Sequence, residues 1–197
     1  MAFYTHDELT AMNFKHLGKN VKISNKASIY NPELISIDDN SRIDDFCVLS
    51  GNISIGKNVH IAVFCNLAGG EKGIIMEDFS GLAYSVNVFT QSDDYTGKSL
   101  TNPTVPDKYK LETKKQVVLK KHVIVGAGSL IFPGVILEEG CSVGAMSLVT
   151  RSTEPWKIYS GIPAKPIKDR RKDLLVYEKE FLEEIEKRVS EGESTDD

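Results

Sequence analysis

The sequence has no long apolar segment, and its charge is nearly balanced. No run approaches the roughly 18 apolar residues that cross a bilayer, and the start, MAFYTHDEL, lacks the apolar core of a signal peptide. The net charge is −4 with both signs interspersed, which gives no argument for nucleic acid or a membrane surface as a partner. At 197 residues the chain has the length of one domain. We therefore expect a single-domain, soluble, cytoplasmic protein.

Cysteine and histidine are also scarce, which narrows the possible metal and redox chemistry. The three cysteines form no CxxC pair and no Cys/His ligand spacing; they are Cys47, Cys65 and Cys141. The four histidines stand far apart in the sequence, at His6, His16, His60 and His122. The sequence therefore predicts no metal site.

What the sequence does contain is a six-residue repeat. Its clearest stretch, residues 119–154, reads LKKHVI VGAGSL IFPGVI LEEGCS VGAMSL VTRSTE. Each block opens with Leu, Val or Ile, and its fifth residue is small or β-branched. This spacing fits neither the 3.6-residue helix period nor the two-residue alternation of an ordinary strand. It indicates a solenoid in which each hexapeptide forms a strand and a turn, and three hexapeptides complete a triangular coil.

The same register continues upstream, with two short slips. Apolar residues open further blocks at Leu17, Ile23, Ile29, Ile37, Ile43, Leu49, Ile55, Ile61, Leu67, Met76, Leu82 and Val88. The phase slips by two residues after Ile29 and by three after Leu67, which we interpret as small corner insertions. All three cysteines fall at fifth positions, so we expect them to be small buried side chains inside the stack.

This pattern resembles the hexapeptide-repeat acyltransferases, whose fold is a left-handed parallel β-helix. The resemblance covers roughly residues 17–168. It implies an all-β solenoid in a homotrimer that binds an acyl-coenzyme A in the cleft between neighbouring coils. At the ends we expect an N-terminal cap over residues 1–16, with a short helix that Thr5 caps together with Glu8. We also expect a C-terminal helix over residues 169–190 and a polar tail over residues 191–197.

Two histidines lie within the repeats, and histidine is the usual general base in this family. His60 and His122 occupy outward or corner positions, where polar residues are ordinary. We expect His122 to be a solvated turn residue. For His60 two interpretations stay open, because an outward side chain on a middle coil could also face the cleft of a neighbouring subunit.

The largest interruption of the repeat runs from Asp93 to about Val118. A polar insertion of this length, rich in Gly and Pro, cannot follow the coil wall, so we expect a projecting loop that reaches over a neighbouring subunit. In the sugar O-acetyltransferases of the family a histidine follows the preceding hexapeptide. Here that place is held by Asp93, with Asp94 beside it. An amine has its own lone pair and needs orientation more than a strong base, so a carboxylate would be sufficient to hold it.

The loop sequence resembles the branch of the family that N-acylates nucleotide-linked amino sugars, for example dTDP-linked ones. That resemblance implies that Asp93 or Asp94 orients the amine and that Tyr95 and Asn102 contact the substrate. Aspartate is also favoured in turns, so two solvated turn aspartates remain an alternative. Ser85, at the corner before the loop, matches a small polar residue placed against the acceptor, although an ordinary turn serine would give the same pattern.

The donor side of the expected site follows the loop. The repeats VGAGSL and VGAMSL place four small residues at stacked corners: Gly126, Ala127, Gly144 and Ala145. Small residues there would let an extended pantetheine lie against backbone N–H groups, which would also stabilise an oxyanion. The segment GIPAKPIK resembles one found in this family, which implies that Pro163 turns the chain and that Lys165 and Lys168 meet coenzyme A phosphates.

The sequence therefore predicts an acyl-coenzyme A-dependent N-acyltransferase of surface-glycan assembly that acts by direct attack, without a metal. The candidate catalytic residues are Asp93, Asp94, Ser85 and His60. Two alternatives stay open. A saccharide O-acetyltransferase would need His60 or another histidine as its base, whereas a non-catalytic β-helix trimer would bind no coenzyme A.

Overall fold

A computed structural model describes residues 2–191 and shows a triangular parallel β-helix. The first face contains β1 (His16–Leu17), β4 (Ile35–Ile37), the later parts of β6 (Val48–Ile55) and β8 (Asn66–Met76), β13 (Val117–Leu119) and β16 (Ile136–Leu137). The second face contains β2 (Lys22–Ile23), β5 (Arg42–Ile43), β7 (His60–Ile61), β9 (Gly81–Leu82), β14 (Ile124–Val125), β17 (Ser142–Val143) and β19 (Lys157–Gly161). The third face contains β3 (Ser28–Tyr30), the earlier parts of β6 and β8, β10 (Asn87–Phe89), β15 (Leu130–Ile131) and β18 (Leu148–Val149).

Parallel pairing between coils fixes which residues point inward. On the second face, Ile23 pairs with Ile43, which pairs with Ile61, and the column continues upward through Leu82. These side chains are buried because each stacks on the same position of the next coil. The first residue of each hexapeptide therefore forms the core, as the repeat predicts.

The cysteines lie in the same interior. Cys47, Cys65 and Cys141 are buried and form no disulfide. Burial raises the pKa of the Cys141 thiol, and this thiol is therefore a poor nucleophile. The prediction of small buried side chains is confirmed.

Three corners join the faces, and the site depends on two of them. The second corner connects the second face to the third and comprises residues 44–47, 62–65, 83–86, 126–129 and 144–147. The third corner connects the third face back to the first. Both slips of the repeat lie there: a 3-10 turn at Pro32–Leu34, and a glycine-rich part of β8. A Cβ at Gly69 would lie 2.2 Å from the Asn52 carbonyl oxygen, so only glycine fits this close approach.

The N-terminal end is closed as predicted. Helix α1 (His6–Ala11) carries the capping box between Thr5 and Glu8. Leu9 is buried, and Met12 and Phe14 pack against the core. Together they cover the first coil, which has no neighbour on that side.

The C-terminal end differs from the prediction. Strand β20 (Ala164–Asp169) folds back antiparallel on β19, and the helix α2 (Leu174–Glu191) begins only afterwards. The predicted start at residue 169 was wrong because this segment pairs with the edge of the sheet. Residues 192–197 of the predicted tail lie outside the described residues.

The projecting loop starts from the third corner on a short antiparallel hairpin. Strand β11 (Gln91–Ser92) pairs with β12 (Thr113–Lys114), and a 3-10 turn occupies Asp107–Tyr109. The chain is back in the solenoid by Val117, which is fully buried. The predicted end of the interruption near Val118 was therefore too late. Within residues 2–191 no helix is long and apolar enough to span a bilayer.

Candidate functional site

Ser85 and the predicted donor residues lie on one column of the second corner. Ser85, Gly128 and Met146 occupy the same corner position with φ of 60°, 69° and 56°. The Gly128 N–H donates to the Tyr84 carbonyl at 2.9 Å, and the Met146 N–H donates to the Ala127 carbonyl at 2.8 Å. Consecutive coils of this corner are thus held in direct register.

The glycines of this corner have a packing role of their own. A Cβ on Gly126 would lie 2.4 Å from the Ala145 nitrogen, and a Cβ on Gly144 would lie 2.8 Å from the Ser160 hydroxyl oxygen. Position 126 therefore requires glycine so that the backbone of the next coil can pack, whereas a Cβ at position 144 would displace the Ser160 side chain. The close packing leaves a smooth corner with Ala127 and Ala145 on its outside.

The middle residue of each corner turn has an unused backbone donor. The N–H groups of Gly126 and Gly128 donate to carbonyls of neighbouring coils. Among the described residues, the N–H of Ala127 makes no hydrogen bond, and the same holds for Tyr84 and Ala145. The second corner therefore presents a column of free backbone donors, which suits a ligand with amide and thioester oxygens.

The β19–β20 hairpin lies at the C-terminal end of this corner. The turn includes a cis Ile162–Pro163 peptide bond, which places Pro163 at the turn as predicted. Lys165 is opposite Ser160, the residue that contacts Gly144. Lys168 is opposite Ile158, and both lysines are exposed. The structure thus places Lys165 close to the free donors of the last coils.

A second group of predicted residues meets at the base of the loop. Asp93 and Tyr95 line a cavity of about 340 Å³ there. The rest of its lining comes from Phe89, Gln91, Ser92, Pro103, Glu112, Phe132 and Pro133. Glu112 pairs with Lys110 and Lys114, and this pairing lowers the pKa of its carboxyl. The cavity therefore holds two carboxylates beside an aromatic ring that is 90% exposed, that of Tyr95.

The two adjacent aspartates have different surroundings. The Asp94 carboxylate accepts hydrogen bonds from the Thr96 hydroxyl and from the N–H groups of Thr96, Lys98 and Ser99. The Thr96 hydroxyl, helped by these N–H groups, lowers the pKa of Asp94. Asp93 accepts one long bond, at 3.4 Å, from the N–H of Asn102. Asp94 therefore shapes the loop, while Asp93 faces the cavity with its oxygens largely uncommitted.

Asn102 is not placed as a free ligand. Its side-chain oxygen accepts hydrogen bonds from the Thr104 N–H at 3.0 Å and the Thr104 hydroxyl at 2.6 Å. It does not line the loop cavity. Asn102 contacts the Asp93 carboxylate through its backbone N–H and not through its side chain.

The two histidines of the repeats, His60 and His122, each contact a carboxylate near the second face. His60 is half exposed, and its Nε2 lies 2.9 Å from the buried Asp44 carboxylate, which also accepts from Arg42. His122 is buried beneath α2, with its Nε2 2.9 Å from Glu178. The prediction of a solvated His122 was wrong because a helix 56 residues away covers it.

Within one chain the structure does not bring all the candidates together. Ser85 and the donor residues lie on the second corner, whereas Asp93 and Tyr95 lie at the third corner. Sequence reasoning missed Glu112, Phe132 and Pro133 of the loop cavity. Phe132 and Pro133 belong to the repeat IFPGVI. They could have been predicted, because the corner of this repeat lies next to the base of the loop.

No family model matches the chain, but individual proteins do. It is 42% identical over 184 residues to the dTDP-4-amino-4,6-dideoxy-D-glucose acyltransferase of Escherichia coli, covering 92% of this chain and 95% of that protein. It is 49% identical to AntD, an N-acyltransferase from Bacillus cereus, solved with dTDP and 3-hydroxybutyryl-CoA; the TM-score is 0.93, over 94% of this chain and all of AntD. Another AntD structure, of a serine variant at 50% identity and a TM-score of 0.92, contains dTDP-4-amino-4,6-dideoxyglucose and coenzyme A and covers 93% of this chain and 98% of that one. These likenesses confirm the expected left-handed β-helix.

Proposed function

Because the chain belongs to the hexapeptide-repeat N-acyltransferases of nucleotide-linked amino sugars, we propose that it moves an acyl group from acyl-coenzyme A to the amine of a dTDP-linked amino-deoxy sugar. The observation that carries the proposal is the end-to-end likeness to an enzyme solved with both dTDP and an acyl-coenzyme A. We place this reaction in the cytoplasm, and the acylated sugar would serve surface-glycan assembly.

The donor lies along the second corner. Its pantetheine runs past Ala145 and Ala127, where the free N–H groups meet its amide oxygens. Its phosphates lie near Lys165 and Lys168, which act as flexible point charges. The thioester then reaches the coil of Ser85, and the free N–H of Ala127 is available to its carbonyl oxygen.

The acceptor lies against the loop of a different subunit. The loop leaves the third corner and the donor column occupies the second. Within one chain the two halves of the site therefore lie apart. A homotrimer solves this, because the loop of one subunit can cross to the second corner of the next. Asp93 then holds the amine, and Tyr95 offers an exposed ring to the nucleotide or sugar.

The reaction is a direct acyl transfer. The neutral amine nitrogen attacks the thioester carbon and forms a carbon–nitrogen bond while the carbonyl oxygen becomes an oxyanion. The oxyanion is stabilised by backbone N–H groups near Ala127. On collapse the carbon–sulfur bond breaks, and the departing thiolate takes the proton from nitrogen, giving an amide and free coenzyme A. Asp93 orients the ammonium-like nitrogen without becoming covalently attached.

A thiol-release assay tests this function. Acetyl-coenzyme A and longer acyl donors are supplied with dTDP-linked amino sugars or with the matching hydroxyl sugars. We expect thiol release with the amines and none above background with the hydroxyls. Turnover of the hydroxyl sugars would contradict N-transfer and would favour a histidine base, for which the Asp44–His60 pair is the available candidate.

A further inference from the structure

A cavity of about 620 Å³ lies between the second face and α2. We call it the sub-helix cavity. Its solenoid wall includes Ala62, Leu82, Ala83 and Ile124, and α2 closes it with Leu174 and Phe181. The volume lies in the range of small-ligand sites, and the walls are mostly apolar.

The cavity is widest open to the solenoid where one outward side chain of the second face is missing. The outward column of that face reads Lys22, Arg42, His60, Gly81, Ile124, Ser142 and Ile158. Gly81 does not have a left-handed backbone, and a Cβ there would meet nothing closer than the His60 carbonyl oxygen at 3.5 Å. Neither conformation nor crowding requires glycine at this position. Its structural effect is the open space beneath α2.

The cavity is continuous with the second corner. It extends to Ala83 and Tyr84, the two residues directly before Ser85. The Tyr84 carbonyl accepts from the Gly128 N–H, so the edge of the cavity touches the coil that carries Ala127. A group that leaves the corner at the coil of Ser85 can therefore enter the cavity without crossing another coil.

We propose that the sub-helix cavity binds the acyl chain of the donor and that the enzyme prefers linear acyl groups longer than acetyl. The inference rests on the proposed function, which places the thioester beside Ser85. An apolar cavity next to the thioester carbonyl carbon would bury the methylene groups of the acyl chain away from water. The complex of AntD with 3-hydroxybutyryl-CoA agrees with a donor longer than acetyl in a related protein.

The test compares acetyl-, butyryl- and hexanoyl-coenzyme A as donors for the wild type and for Gly81→Leu. Each buried methylene contributes roughly a fourfold gain, so the two extra methylenes of butyryl should raise wild-type kcat/KM about 15-fold over that with acetyl. Leu at position 81 occupies the part of the cavity beside His60 and Ile124, and we expect it to lower butyryl and hexanoyl transfer about tenfold more than acetyl transfer. Ser54→Leu, an outward position on the first face, is the matched control and should leave the donor ratios unchanged.

Two results would overturn the inference. One is a wild type that uses butyryl no better than acetyl. The other is a Gly81→Leu variant that loses all donors equally, or that changes its oligomeric mass, because the cavity would then seat a neighbouring subunit. Calorimetric binding of the same three donors is measured without the sugar. If no donor is turned over, the proposed function fails, and the chain-length dependence of Kd still decides the inference.

Discussion

At the scale of single residues, Asp93 and Asp94 have the same chemistry and opposite surroundings. Asp94 is surrounded by donors of its own loop, which hold its pKa low and make it a weak proton acceptor. Asp93 lines the loop cavity with one long hydrogen bond. A carboxylate with uncommitted oxygens is the better group to orient an amine.

This difference predicts distinct kinetic effects of two substitutions. Asp93→Asn should lower kcat by about 100-fold, since it removes the charge that orients the amine. Asp94→Asn should act mainly on KM for the sugar, because an amide group cannot accept from Thr96, Lys98 and Ser99 as a carboxylate does. Steady-state kinetics with each substrate varied in turn separate the two effects. Asp107→Asn, an exposed loop aspartate, is the control, and full kcat in Asp93→Asn would reverse the assignment.

The same two residues show where sequence reading stops. The six-residue period is a local signal repeated in every coil, so the fold, the inward positions and the buried cysteines could be predicted. Whether Asp93 or Asp94 faces a cavity depends on how a loop of some 20 residues closes on its own amides, and no spacing encodes that. Because Asp93 and Asp94 are identical neighbours, the sequence alone does not show which of them faces the cavity and which stabilises the loop.

At the scale of elements, α2 is the part that the repeat could not predict. Its docking depends on contacts with residues far away in the sequence, and the same contacts bury His122. Glu178 on α2 faces three cationic or titratable groups: Lys121 at 2.5 Å, His122 at 2.9 Å and, nearby, Arg170. Arg170 itself donates to the carbonyls of His122, Gly140 and Cys141. Charged contacts of Glu178 thus add to the apolar contacts, such as that between Phe181 and Phe79, by which the helix packs on the solenoid.

The docking of α2 should therefore weaken in acid. Burial raises the pKa of Glu178, but hydrogen bonds from Lys121 and His122 outweigh it and lower the pKa below 4.5. A group whose pKa is lowered on folding stabilises the fold above its unfolded pKa and loses this contribution as pH falls through the folded value. We expect α2 to loosen below about pH 4.5, with a loss on the order of 1 kcal/mol.

The single tryptophan, Trp156, reports this change because its ring lies 6.3 Å from that of His122. Fluorescence is followed from pH 7 to pH 3 for the wild type and for Glu178→Gln. The variant should show a loosened helix already at neutral pH and no acid transition in this window. Superimposable curves for the two proteins would mean that Glu178 does not hold the helix.

At the scale of the whole molecule, the proposed donor and acceptor halves of the site lie on different corners of one chain. The proposed donor column is on the second corner, and the loop that we assign to the acceptor leaves the third, with the third face between them. In the homotrimer that we propose, a closed ring of identical subunits would bring each loop against the corner of its neighbour. An active site made in this way contains one loop and one corner from different chains.

This arrangement predicts that two strongly impaired variants restore activity to each other in a mixed trimer. Asp93→Asn damages only the loop half, and Ala127→Phe blocks only the corner half without touching the packing glycines. Each variant alone should keep no more than about 1% of wild-type activity. After co-expression with two different tags and purification on both, each mixed trimer should contain one site that pairs an intact loop with an intact corner, which is about a third of its sites. Activity near that fraction of wild type supports the shared site, whereas mixed trimers as inactive as the parents would place loop and corner of each site in the same chain.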